Sequence, residues 1–173
     1  MTNPCETLTR CETLTRDRPA QKVLIGARLT AIGLRPILEA HARHRAGRAD
    51  GRRAVLLRCD LSGLDLSGAD LRGADLVECD FESCNLTGAR LEEATLTGCR
   101  FTDSLLNAAR FAGAELARSS FHMADLRGAD FRDAKLQDVE LDCALLGTSP
   151  ESGLPTIIDT RILDRVFARR RCH

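Results

Sequence analysis

His122, Asp142 and Cys143 are the side chains in this sequence best suited to covalent chemistry. An imidazole steadied by a carboxylate can take the proton of a thiol and leave a nucleophilic thiolate. His122 and Asp142 are twenty residues apart, and each directly follows a Phe or Leu of a regular pattern, so a chain that closes every twenty residues stacks them. Cys143 then lies beside them, next to Met123. Such a group stands on a flat, open surface, whereas reactive sites sit in clefts, and a surface hydrogen bond is the simpler role.

Three further groups have the residue types of metal sites. His41 and His44 are spaced i, i+3 with Glu39 nearby, but a solvated pair of helix histidines explains them as well. Cys5 and Cys11 belong to a tandem CETLTR hexapeptide with no adjacent His. Cys59, Cys79 and Cys99 recur every twenty residues. Stacked one coil apart, they are too distant for a disulfide, whose sulfurs stand about 2 Å apart, and they form no tetrahedron around zinc. Gly-rich phosphate loops are absent. The sequence therefore predicts a non-enzymatic protein with no catalytic residues, no metal and no cofactor.

What positions all these residues is a five-residue beat. From residue 59 to 146 every fifth position is Leu or Phe: Leu61, Leu66, Leu71, Leu76, Phe81, Leu86, Leu91, Leu96, Phe101, Leu106, Phe111, Leu116, Phe121, Leu126, Phe131, Leu136, Leu141 and Leu146. Two residues before each of these centres stands a mostly small residue, from Cys59 and Leu64 to Val139 and Ala144. The residue before the centre and the two after it are mostly Asp, Arg, Glu, Ser, Thr and Gly. An inward pair every five residues fits neither the period of a strand nor that of a helix. A chain turning a corner every five residues produces it, and four turns close a square. Phe81, Phe101 and Phe121, spaced by twenty, mark one wall, and Phe111 and Phe131 mark the wall opposite. The expected fold is an all-β solenoid, a quadrilateral parallel β-helix of about four and a half coils stacked at about 4.8 Å.

The ends read differently. Residues 1–22 form an N-terminal arm carrying the hexapeptide duplication, and residues 23–58 a helical cap and linker before the β-helix of residues 59–148. Within the cap, residues 23–34 fit either a stray coil or a short helix, and a clearer helix is predicted from Pro36 to Gly47. Residues 149–173 read as a linker and an amphipathic helix starting at a Thr156–Asp159 capping box. Its stripe of Ile158, Ile162, Leu163, Val166 and Phe167 either covers the last coil or forms a homodimer interface.

Formal charge is zero over the 173 residues but unevenly spread: residues 59–146 carry 17 acidic and 8 basic side chains, and both flanks are basic. Trp and Tyr are absent, which removes stacking platforms for bases and argues against direct nucleic-acid binding. No stretch approaches the length of a membrane span, the N-terminus carries no secretory signal, and four cysteines sit in slots where Ala is usual. A cytoplasmic protein is the expectation.

Ala69-Asp70-Leu71-Arg72-Gly73, Ala74-Asp75-Leu76 and Ala124-Asp125-Leu126-Arg127-Gly128 resemble the pentapeptide-repeat family, whose pattern is A(D/N)LXX. The resemblance implies a right-handed quadrilateral β-helix. Most members have no known activity, while a quinolone-resistance subset dimerises through a C-terminal segment and mimics DNA against type II topoisomerases such as gyrase. This chain is similar in its acidic rod and C-terminal module. It departs in its neutral total charge, in outward Arg90, Arg100, Arg110, Arg118, Arg127, Arg132 and Lys135, and in having no protruding loop within the repeat. Two functions follow as expectations. One is a rigid module that presents a wall to another protein, with Leu105 and Leu145 on one face beside Ala108, and Val77 and Met123 also pointing outward. The other is DNA mimicry through Asp60, Asp65, Asp70, Asp75 and Asp80.

Overall fold

A computed structural model describes residues 23–159. The duplicated arm and Ile162, Leu163, Val166 and Phe167 lie outside these residues. At every fifth residue from Arg58 to Cys143 the backbone adopts a φ between +53° and +74°. This left-handed conformation turns the chain through a corner, and glycine adopts it without steric cost. Residues such as Glu78, Arg118 and Met123 take it as well, at about 1 kcal/mol or more each. Closure of the coil must offset that strain.

Between corners each wall contributes one bridging residue to a parallel ladder. The ladders run at an offset of twenty: Asp60, Asp80, Arg100, Ser120 and Glu140 form one column, and Asp65, Asn85, Leu105, Asp125 and Leu145 another. The centres from Leu61 to Phe131 donate their N–H to the next coil, as from Leu61 to Asp80 O at 2.8 Å and from Phe101 to Ser120 O at 2.7 Å. Longer strands occur at one wall, where β1 (Val23–Ile25), β2 (Val55–Leu57) and β3 (Asp75–Val77) pair in parallel in that order.

The register across β1 and β2 is Val23 to Val55, twelve residues more than a coil. The surplus holds helix α1 (Ala31–Arg45). The repeat thus begins earlier than residue 59. Ala54-Val55-Leu56-Leu57-Arg58 is a further unit, with Ala54 and Leu56 in the core. Of the two readings open for residues 23–34, a stray coil fits Val23–Leu29: β1 pairs with β2 and Arg28 with Asp60. The helix also starts five residues before Pro36. Thr30 accepts the Gly33 N–H on its hydroxyl at 3.3 Å, and Leu34 is buried, which fixes the first turn. Pro36, inside the helix, removes the N–H that would reach the Ile32 carbonyl. That turn faces water, with Ile32 85% exposed.

A second surplus lies after Gly147. Asp130 bridges Ile157, seven residues more than a coil. Residues 148–155 are therefore not a linker. They form a tight turn in which Thr148 and Pro155 bridge antiparallel and Ser149 N–H bonds Leu154 O at 2.8 Å. The predicted capping box at Thr156 is replaced by extended chain. The Thr156 hydroxyl donates to Leu126 O at 2.7 Å, and Ile158 packs against the core rather than along a helical stripe. Ser119 makes the same kind of contact to Leu96 O, twenty-three residues back, and Thr156 stands at that offset from Leu126 once the seven extra residues are discounted, so it resumes the beat after the turn.

The core is apolar apart from Ser104 and Ser119, whose hydroxyls donate to backbone carbonyls. All centres are buried except Leu136 and Leu146, which are partly buried against it. Phe81, Phe101 and Phe121 stack at 5.0 and 4.8 Å, Phe111 and Phe131 at 4.8 Å, and the two stacks meet edge to face across the coil at 5.8 to 6.1 Å. Offset stacks and T-shaped contacts are the arrangements that ring quadrupoles favour.

Candidate functional site

Backbone pairing brings the chemically suggestive residues together: Met123 N–H donates to Asp142 O at 2.9 Å, which sets His122 and Met123 against Asp142 and Cys143 of the next coil. All four are exposed, His122 and Asp142 on a wall and Met123 and Cys143 at the corner that ends it. A cleft of about 270 Å³ lies elsewhere, between α1 and Leu64–Leu66. It contains neither a thiol nor an imidazole. No group of three or more His, Cys, Asp or Glu among the described residues is placed to hold a metal ion.

The stacked cysteines fill the core. Cys59, Cys79, Cys84 and Cys99 are buried and unpaired. Their thiols donate to carbonyls of the preceding coil, as from Cys79 to Leu56 O at 3.3 Å and from Cys84 to Leu61 O at 3.0 Å. Burial pushes the Cys84 thiol up to about 11, and hydrogen bonding to Cys79 together with burial pushes Cys59 up as well. Such thiols do not supply the thiolate that nucleophiles and metal ligands require.

The five aspartates do not form a stripe. Because they are five residues apart, they wind around the rod: Asp60 and Asp80 share one column, while Asp65, Asp70 and Asp75 stand in three others. Each is also engaged locally. Asp60, Asp65, Asp70 and Asp80 accept the N–H two residues ahead (Ser62, Ser67, Arg72 and Glu82) at 2.9 to 3.3 Å. These Asx turns shape the corner, and they give a physical reason for Asp or Asn at this slot of the repeat. Cations then cover most of the charge. Arg28 pairs with Asp60, Arg72 and Arg90 with Asp70, Arg53 with Asp75, and Arg100 with Asp80. The Arg72 guanidinium holds the Asp70 carboxyl down to about 2. Asp125 and Asp130, paired with Arg127 and Arg132, are likewise depressed.

A different surface emerges from the outward positions. Leu105 and Leu145 flank Asp125 in one column and are 48% and 53% exposed. Asp125 is nearly buried by its pair with Arg127, so little charge shows between the two leucines. Met123 at the adjoining corner is exposed, and Leu154 of the 148–155 turn extends the same region. That turn closes against Gly128, where a Cβ would stand 2.7 Å from Ser149 Cβ and 2.9 Å from Leu154 O.

Sequence reasoning missed His41. It is not a solvated helix histidine but fully buried, bonded on both ring nitrogens. Its partners, Ala54 N and Arg72 O, are backbone groups, for which the sequence carries no signal.

The corner-every-five-residues rod defines a parallel β-solenoid, and its sequence places it more narrowly. The family model for a pentapeptide repeat region matches residues 74–149, and that for pentapeptide repeats in eight copies matches residues 45–73. Together they span more than half of the chain, and the chain belongs to the pentapeptide-repeat family. Solved members of this family form right-handed β-helices. The fold is similar to that of a pentapeptide repeat protein from the Arabidopsis thaliana thylakoid lumen, with 24% identity, a TM-score of 0.54, and coverage of 61% of this chain and 70% of the other. HetL of Nostoc sp. strain PCC 7120, described as involved in heterocyst differentiation regulation, is 26% identical with a TM-score of 0.49 over 76% of this chain and 49% of its own. QnrB1, a plasmid-mediated fluoroquinolone resistance protein, is 18% identical with a TM-score of 0.31 over 67% of each chain. Among curated proteins, none matches the chain in sequence. No helix among the described residues is long and apolar enough to cross a membrane.

Proposed function

We propose that the chain is a non-enzymatic, rigid protein-binding module of the cytoplasm, with α1 as the N-terminal cap of its rod. Its working surface is the wall carrying Leu105, Leu145 and Met123. The observation that carries this reading is the gathering of exposed large apolar side chains: among the described residues, apart from Ile32, they all lie in the C-terminal half. Leu105, Met123, Leu145 and Leu154 lie on or beside one wall, and Ile157 stands on the next. Exposed large apolar side chains gathered in one region mark contact sites on soluble domains. The partner is another protein. A pull-down from native lysate with the full chain, compared with a Leu105→Asp, Leu145→Asp double variant of unchanged circular dichroism, tests it. The wild type should retain a partner that the variant loses, and retention of every partner by the variant would refute the assignment.

DNA mimicry of a type II topoisomerase substrate has less support. Phosphates line a groove at regular steps, whereas the five aspartates circle the rod and most are paired with arginines. Inhibition of gyrase supercoiling that disappears with rising salt would revive that reading. A homodimer through Ile162, Leu163, Val166 and Phe167 is a separate expectation. Light scattering on the full chain and on a chain ending at Asp159 decides it, since only a dimer made by those residues becomes monomeric on truncation.

A further inference from the structure

We propose that His41 is a pH-sensitive latch that holds α1 on the repeat rod while the ring is neutral and releases it when the ring is protonated. The geometry requires the neutral ring. Ala54 N–H donates to Nδ1 at 3.2 Å, so Nδ1 must be the unprotonated nitrogen. Nε2 then carries the proton and donates to Arg72 O at 3.1 Å. One ring thereby joins three segments: α1, the unit beginning at Ala54, and the wall at Arg72. It is 0% exposed. A second proton on Nδ1 sets one donor against another, and the buried Ala54 N–H loses its acceptor.

Charged groups facing the ring come from three elements. From the rod, Asp70 favours the charged form, but its carboxylate is committed to Arg72 and Arg90. From α1 itself, His44, whose ring stacks at 6.3 Å, and Arg45 disfavour it. From the segment that returns the chain to the rod, Arg52 is bonded to Ala49 O and Gly51 O, and Arg53 to Asp75. Burial outweighs Asp70, and the His41 pKa is lowered from its ordinary value near 6.5.

A histidine with a lowered folded pKa stabilises the docked state fully above about pH 6.5 and loses that contribution as pH falls through the folded value. Between those two values the constant for opening α1 rises about tenfold per pH unit. The rod need not open with it. Its ladders run between coils and make no use of α1, while Leu34, Ile37 and Leu38 attach the helix by apolar contact and Arg52 N–H bonds Ala40 O of the helix from the returning segment. Release uncovers the end of the rod around Leu64 and Leu66, which line the cleft beneath α1.

Hydrogen exchange by mass spectrometry on the full chain between pH 7.5 and 5, corrected for intrinsic rates, tests the latch. Peptides from α1 should lose protection about tenfold per unit once the pH drops below about 6.5, while ladder peptides spanning Leu91 to Phe121 keep theirs. A His41→Asn variant offers Ala54 an amide oxygen that does not titrate, and its α1 should exchange independently of pH, whereas His44→Asn should keep the wild-type slope. Where His41→Asn fails to dock α1, the ring titration of His41 in the wild type, followed by NMR, must coincide with the loss of α1 protection. Exchange from α1 that is flat with pH, simultaneous loss from helix and ladder, or a slope that follows His44 would each overturn the proposal.

Discussion

Substituting Phe101 by Leu should cost distinctly more stability than substituting Phe81 by Leu, although both rings are 0% exposed and the same atoms are removed from each. The transfer contribution is therefore equal, and the difference lies in the partners. Phe81 stacks on Phe101 alone. Phe101 stacks on Phe81 and on Phe121 at 4.8 Å, and meets Phe111 edge-on at 6.1 Å. An aromatic pair is worth about 0.5–1.5 kcal/mol beyond its area. The additional stack and edge contact then amount to about 1–3 kcal/mol in favour of a larger loss at Phe101. Urea titration of the three proteins by circular dichroism gives the comparison, provided the slopes match, so that the midpoints report stability alone. If the two variants lie within about 0.5 kcal/mol of each other, below one aromatic pair, the ring ladder is ordinary hydrocarbon filling and the pairing argument fails.

Gly128→Ala should destabilise by about 2 kcal/mol or more, since it adds a left-handed Cβ close against Ser149 and Leu154 O. Gly63→Ala, with open space around it, should cost only about 1 kcal/mol by the same denaturation assay. Acid should weaken the rod between about pH 4 and 2, because Asp70, Asp125 and Asp130 have carboxyls depressed by arginine partners. Unfolded carboxylates take up protons first as the pH falls, so thermal midpoints should drop in that window, less in Arg72→Gln than in wild type. Alkylation of the native chain at pH 8 should modify Cys143 and spare Cys59, Cys79, Cys84 and Cys99. Peptide mapping that found label on Cys84 would contradict its burial and raised pKa.

The walls of the rod were legible because two constraints repeat independently: the inward pair every five residues and the Phe columns every twenty. Reading at twenty also brings Arg100 to Asp80 and Lys135 to Glu115, pairs the structure contains. The aspartates, regularly spaced by five in sequence, wind around the rod in space. The unit at Ala54 escaped notice because Val55 and Leu57 put apolar residues in slots that are polar elsewhere. Both surpluses hid for a different reason. Thr30 and the Ser149 turn act through local backbone groups and Thr156 through a carbonyl thirty residues back, and no side-chain pattern announces such partners. For the candidate surface, Leu105 and Leu145 were visible as apolar residues in polar slots. The near-burial of Asp125 between them depends on the Arg127 pair, and so on three-dimensional arrangement.

The two surpluses also explain why one wall differs from the others. Both interrupt the beat without disturbing its columns: after twelve extra residues Val55 pairs with Val23, and after seven Ile157 pairs with Asp130. Insertion is tolerated there because the ladder asks only that each bridging residue return to its column, whatever the chain does in between. Material inserted at a corner must then lie against a neighbouring wall. Helix α1 lies over Leu64–Leu66 at one end of the wall that later carries Leu105 and Leu145, and the 148–155 turn closes on Gly128 at the other. From Asp65 to Leu145 that wall spans four coil steps, about 19 Å. Among the described residues it is the wall with inserted structure at both ends, and it is also where two leucines face water. A partner that reads this surface meets two leucines set in an otherwise polar wall with raised margins, and the margins limit how it can slide along an otherwise repetitive rod.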